Sequence, residues 1–188
     1  MRNSRSGFSL LELVITLAII SIMMAGFPVA RSMLPDVKIN SAARGLGQEM
    51  REARALAVKH SNDVIVSFVG NQINVYSDTE LDGIELSDLV LSHPLEYYGT
   101  GAVFRAVATT GIDGQPIAAA VKMGGTSNPV AVTFRANGAA MNTGVIYLGP
   151  SDSTRLDLGR AIEINSLGRV VLWKYDATGS PGPWKKYL

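Results

Sequence analysis

The 188-residue sequence holds few side chains that could carry covalent or acid–base chemistry. Cysteine is absent, which removes thiolate nucleophiles, disulfides and cysteine metal sites together. The two histidines, His60 and His93, stand at the end of a helical pattern and just before Pro94, with no recognisable serine motif near either. Nucleophilic catalysis needs a base positioned beside its nucleophile, so the sequence is read as non-enzymatic. Gly124-Gly125-Thr126 lacks the spacing and the lysine of a phosphate loop. Asp78, Glu80, Asp82 and Glu85 surround Gly83 with the carboxylate oxygens that a hard cation such as calcium takes. Their spacing does not fit an EF-hand, and a solvated acidic turn explains the same residues, so neither a metal nor a cofactor is expected.

The most informative charge is Glu12. Residues 1–7 read MRNSRSG, a short polar leader with Arg2 and Arg5, and from Phe8 to Ala30 Glu12 is the only charged residue in an apolar run. About 20 helical residues cross a hydrocarbon core of about 30 Å, so this run is long enough to span with its basic flank on the cytoplasmic side. The change in composition falls at Gly7-Phe8, ahead of the apolar run, so cleavage there would keep the helix, unlike removal of an ordinary secretory signal. A carboxylate near a helix start in lipid costs about 2.5–3.5 kcal/mol on insertion scales and calls for a positive partner.

Gly7-Phe8-Ser9-Leu10-Leu11-Glu12-Leu13, followed by Val14-Ile15-Thr16-Leu17-Ala18-Ile19-Ile20, resembles the processing motif of type IV prepilins and type II secretion pseudopilins. That resemblance implies cleavage after Gly7 by a membrane prepilin peptidase, N-methylation of the new terminus at Phe8, and assembly in which Glu12 neutralises the amino terminus of a neighbouring subunit. Pairing of a buried carboxylate with an ammonium agrees, since either charge alone in lipid is strongly disfavoured. Pro28, in Gly26-Phe27-Pro28, is expected to bend the helix.

Residues 36–59 place Ile39, Ala43, Leu46, Met50, Ala53 and Ala57 at alternating spacings of three and four, which predicts an amphipathic helix with Asp36 as its cap. Its small apolar stripe suits packing against a sheet. Joined to the apolar run it gives one helix of roughly 50 residues, about 75 Å. From Asp63 the pattern changes to short strand candidates: 64–69, 73–76, 102–107, 117–122, 131–134, 145–148, 161–164 and 169–173. Between them lie the turn pairs Gly70-Asn71, Asp82-Gly83, Asp113-Gly114, Asn137-Gly138 and Leu167-Gly168.

The expected class is therefore α+β: a long amino-terminal helix, its first half transmembrane, packed on an antiparallel sheet as in type IV pilins. The divisions are a leader at 1–7, a transmembrane and filament-core helix at 8–30, its amphipathic continuation at 31–60, and a β-rich domain at 61–188. Val132 to Gly138 and Arg160 to Val170 are similar to the GspH/FimT branch of the pseudopilins. The resemblance implies a single-pass inner-membrane protein whose carboxyl-terminal domain lies in the periplasm or outside, and whose partners are the peptidase and other pilins or pseudopilins in a filament.

Net charge is only +1, yet it is unevenly spread. Residues 61–100 hold seven acids and no Lys or Arg, whereas residues 155–188 hold six bases and three acids, so complementary patches suit head-to-tail packing of subunits. FimT-type minor pilins also imply an alternative, DNA capture near a terminal G-R-x-R motif. Gly168 and Arg169 match it, but Val171 stands at the second arginine position. Arg160, Arg169, Lys174, Lys185 and Lys186 are the phosphate-binding candidates, with Trp173 or Trp184 as stacking surfaces.

Overall fold

The computed structural model describes residues 9–78, 88–124, 130–151, 155–178 and 183–187, with the backbone alone of residues 24–33. A single helix, α1, runs Leu10–His60 over 51 residues, joining the two segments expected from the sequence. By compactness the chain divides into Met1–Pro35 and Asp36–Leu188.

In the first unit the described part is helix. Among the described residues no helix is long and apolar enough to cross a membrane. Of the expected span, side chains are described for residues 9–23. The remainder of the expected span, including Pro28, lies outside the described side chains.

The second unit is α+β. Its strands are β1 Asp63–Val69, β2 Gln72–Asp78, β3 Leu89–Pro94, β4 Ala102–Phe104, β5 Val121–Met123, β6 Val130–Phe134, β7 Gly144–Pro150, β8 Arg160–Ile164, β9 Val170–Tyr175 and β10 Trp184–Lys186. They form two antiparallel sheets, ordered β3-β2-β1-β6 and β10-β9-β8-β7-β4, with β5 also paired to β7. The β1–β2 hairpin pairs Val69 with Gln72 around Gly70, whose φ of 58° a residue with a Cβ would resist. Gly168 is tighter still: φ is 70°, and a Cβ there would stand 2.2 Å from the Gly138 carbonyl oxygen.

The helical stripe is buried as its spacing predicts. Ile39, Ala43, Leu46, Met50, Ala53 and Ala57 are each at most 1% exposed, and Ala42 joins them. They meet Val64, Val66, Phe134, Ile146, Ile162 and Leu172 from both sheets. Small side chains let the helix lie close. Gly47 faces Leu172 of β9, and a Cβ at Gly45 would collide with the Tyr98 ring. A second cluster lies across the sheet of β7–β10, where Tyr147, Ala161 and Trp184 are buried together.

Several expectations change in detail. Asp36 does not cap a helix, because α1 continues through it; it accepts hydrogen bonds from Arg160 and Asn40 instead. The 117–122 run pairs only at its end, and 102–107 only at its start. Arg169 belongs to the turn before β9, where Asn165 Oδ1 accepts from its backbone N–H at 2.9 Å. Strands β3 and β10 were not anticipated. The Trp184 segment pairs with β9 through Trp184–Tyr175, Lys185–Lys174 and Lys186–Trp173.

Candidate functional site

The chemistry at the amino terminus is built on the first turns of α1. Gly7 and Phe8 lie outside the described residues. The Leu13 N–H donates to the Ser9 carbonyl at 3.1 Å, so Glu12 sits within the opening turn, where unpaired backbone N–H groups favour a carboxylate. Around it, ten large apolar side chains between Leu10 and Met23 are 51–82% exposed. Such a surface requires another apolar environment. The hydroxyls in this stretch fit one: Thr16 and Ser21 donate to the carbonyls of Leu13 and Leu17 at 2.9 and 2.8 Å, which satisfies them without water.

Arg160, a phosphate-binding candidate from the sequence, is corrected by the structure. It is 0% exposed, and its guanidinium is spent inside the fold. It pairs with Asp36, donates from Nε to Asn40 Oδ1 at 2.8 Å, and donates from one terminal nitrogen to the carbonyls of Asp157 and Gly159 at 3.0 and 2.8 Å. A phosphate cannot reach it; its work is to tie α1 to β8. The Tyr187 hydroxyl is buried beside it, and burial pushes that phenol up from its ordinary value.

The remaining basic residues are surface groups on two faces. Lys174 and Lys185 stand opposite one another on β9 and β10, and Lys185 Nζ reaches Asp176 Oδ2 at 2.6 Å. That ammonium is the main reason the Asp176 carboxyl is lowered to about 2, helped by hydrogen bonds from Thr178. Lys186 lies over the Trp173 ring, 5.3 Å from its centre, and with Arg169, Val170, Val171 and Tyr187 it lines a shallow groove. Trp184 is withdrawn from any stacking role. It is 8% exposed, its indole N–H donates to the Thr110 carbonyl at 2.8 Å, and its ring packs on Tyr147 and Tyr175.

A buried polar cluster went unnoticed in the sequence. Glu49, on the flank of the helical stripe, is 4% exposed and accepts from the Tyr98 hydroxyl at 2.6 Å, with His93 Nε2 3.3 Å away. Burial, then the Glu49 hydrogen bond, pushes the Tyr98 phenol far up, so it stays a donor. Glu49 follows Ala42 by seven residues, and that spacing was the available signal. The cluster fastens the end of β3 to the helix. Of the acidic turn, Glu80, Asp82 and Glu85 lie outside the described residues, and among the described residues no group of three or more metal-ligating side chains forms.

Residues 2–27 match the family described as the prokaryotic N-terminal methylation motif, a span that contains Gly7, Phe8 and Glu12. Among solved structures, two crystal forms of the type IV minor pilin FimU of Pseudomonas aeruginosa are similar. One has a TM-score of 0.44 at 18% identity over 75% of this chain and 88% of that chain. The other has 0.44 at 19% identity over 71% and 90%. No curated protein matches the chain.

Proposed function

We propose that this chain is the precursor of a minor pilin or pseudopilin, a structural subunit cut after Gly7, N-methylated at Phe8 and assembled into a filament through its amino-terminal helix. The observation that carries the reading is the match of residues 2–27 to the methylation motif, with Glu12 as the charge in an otherwise apolar opening. Residues 8–30 anchor the precursor in the inner membrane, and the β-rich domain lies on the periplasmic side. Its work is assembly, not catalysis, in a type IV pilus or a type II secretion pseudopilus. Co-expression with the companion subunits of such an assembly tests it: the chain is expected in the sheared filament fraction, and confinement to the membrane as a monomer overturns the reading.

Nucleic-acid binding is the alternative, and it now rests on Arg169, Lys174, Lys185 and Lys186, since Arg160 and Trp184 are buried. Phosphate contacts by these residues would weaken steeply with salt. A gel-shift titration at low salt is expected to show no complex. A shift that disappears with salt and in Arg169→Ala would establish the DNA-binding reading instead.

A further inference from the structure

Glu49 is a buried ionisable group for which the filament reading has no use. It is 4% exposed on the part of α1 that packs against the sheets, and its Oε1 is buried without a hydrogen-bond partner. A carboxylate taken out of water is tolerated where a cation and hydrogen bonds replace its hydration. The helix supplies no cation: Gly45, Leu46, Glu52 and Ala53 occupy the positions three and four residues away. Among the described residues His93 is the one basic group within ion-pair distance of Glu49, its Nε2 standing 3.3 Å from Oε2.

The ring of His93 is placed for two donors. Its Nδ1 stands 3.3 Å from the Pro94 carbonyl oxygen, and Nε2 stands 3.2 Å from the Tyr98 hydroxyl oxygen as well as beside Glu49. The Tyr98 hydroxyl already donates to Glu49 Oε2 at 2.6 Å, so both ring nitrogens face acceptors. An imidazolium donates at both; a neutral ring donates at one and turns a lone pair toward oxygen at the other. The remaining ionisable groups of the cluster are Tyr97 and Tyr98 from the turn after β3, and Glu52 and Arg44 from α1 around Tyr98. From β2 the residue opposite His93 is Ile73, which brings no charge.

Through this contact the helix holds a short segment of chain. Leu95 is fully buried, and its N–H donates to the Asn71 carbonyl at 2.9 Å. Tyr98 lies on Gly45, and a Cβ at Gly99 would stand 2.2 Å from the Lys38 carbonyl oxygen. On the outside, Tyr97 is 74% exposed and its ring lies on that of His93, with centres 5.0 Å apart. Leu89, Val90 and Leu91 of the same segment are exposed as well.

We propose that His93 is a pH-sensitive latch: protonated, it closes an ion pair with buried Glu49 and holds the end of β3, with the exposed Tyr97 ring, against α1; deprotonated, it loses the pair and the segment opens more readily. The pair is present in full below about pH 6.5, where an unfolded histidine is charged, and is lost as the pH rises above that range. In the proposed function this domain lies outside the cytoplasmic membrane and meets the pH of its surroundings, so acidity sets how firmly the surface around Tyr97 is held. The latch is a property of the folded domain and does not rest on the filament reading.

Amide hydrogen exchange of the full-length chain in detergent reads the latch locally. With intrinsic rates corrected for pH, protection of residues 89–98 is expected to be about fivefold to tenfold greater at about pH 5.5 than at about pH 8, the difference between a charge-assisted and a neutral hydrogen bond. Peptides from β7 and β8 are the reference and should change far less. His93→Gln keeps a donor but has no charge to lose, so its protection should be the same at both pH values. Glu49→Gln should abolish the pH dependence with His93 in place; if that variant does not fold, the comparison of wild type with His93→Gln decides. His60, exposed at the end of α1, is common to all the chains. Equal protection of the wild-type segment at the two pH values overturns the latch, as does a pH dependence that persists in His93→Gln.

Discussion

Glu12→Ala is expected to leave cleavage after Gly7 intact and to lower the chain in the sheared filament fraction at least about tenfold, the effect of about 1.4 kcal/mol. The expectation follows from where the charge stands. The proposed cleavage after Gly7 would create an ammonium at Phe8, and Glu12 is the only charged side chain between Phe8 and Ala30. Around Glu12 the side chains are apolar and outward-facing, so in a bundle of such helices both charges leave water. Removing one partner leaves the other unpaired in an apolar setting, which is far worse than lacking both. Glu12→Gln keeps the shape and a hydrogen-bonding group and should fall between wild type and alanine. In the proposed reading the peptidase would act on the bond after Gly7, five residues before Glu12 in the sequence, so processing serves as the internal control. Wild-type incorporation of Glu12→Ala would contradict the pairing.

Arg160→Ala is expected to destabilise the β-rich domain by about 1–3 kcal/mol, the usual cost of leaving buried hydrogen-bond acceptors unmatched, since Asp36 is 38% exposed and can turn to water. The guanidinium is fully buried and serves four acceptors: Asp36, Asn40 and the carbonyls of Asp157 and Gly159. Alanine would leave those acceptors unmatched around a void. Arg160→Lys should recover part of the loss, since an ammonium keeps the charge but cannot fork to partners on α1 and on the turn leading into β8 at once. Urea unfolding of the full-length protein in detergent, followed by tryptophan fluorescence, reads the difference. A midpoint unchanged by Arg160→Ala would return this residue to the surface and to phosphate binding.

How far these features could be read from the sequence depended on the physics behind each. The helix was legible because Ile39, Leu46, Met50 and Ala53 repeat at the period of a helix, and burial follows period. Hairpins were legible at Gly70 and Gly138, where left-handed φ values select glycine. β3 was not, because an edge strand exposed on both faces has no alternation to detect and Pro94 ends it. β10 was not, because three residues set among Gly179, Pro181, Gly182 and Pro183 carry a loop's composition.

Arg160 misled because charge alone suggests surface. Strand period pointed the other way: Arg160, Ile162 and Ile164 share one face of β8, and that face is buried. The same reasoning separates Lys174 and Lys185 from Lys186, so the basic residues that looked like one patch in the sequence divide between two faces.

The most direct test of the account is the intact mass and amino-terminal sequence of the protein isolated from membranes with and without a prepilin peptidase. The account predicts a chain beginning at N-methylated Phe8 when the peptidase is present, lighter than the precursor by residues 1–7 less one methyl group, and an uncut chain when it is absent. A chain that keeps Met1 in the presence of the peptidase, or one cut after Ala30 by another route, would contradict it.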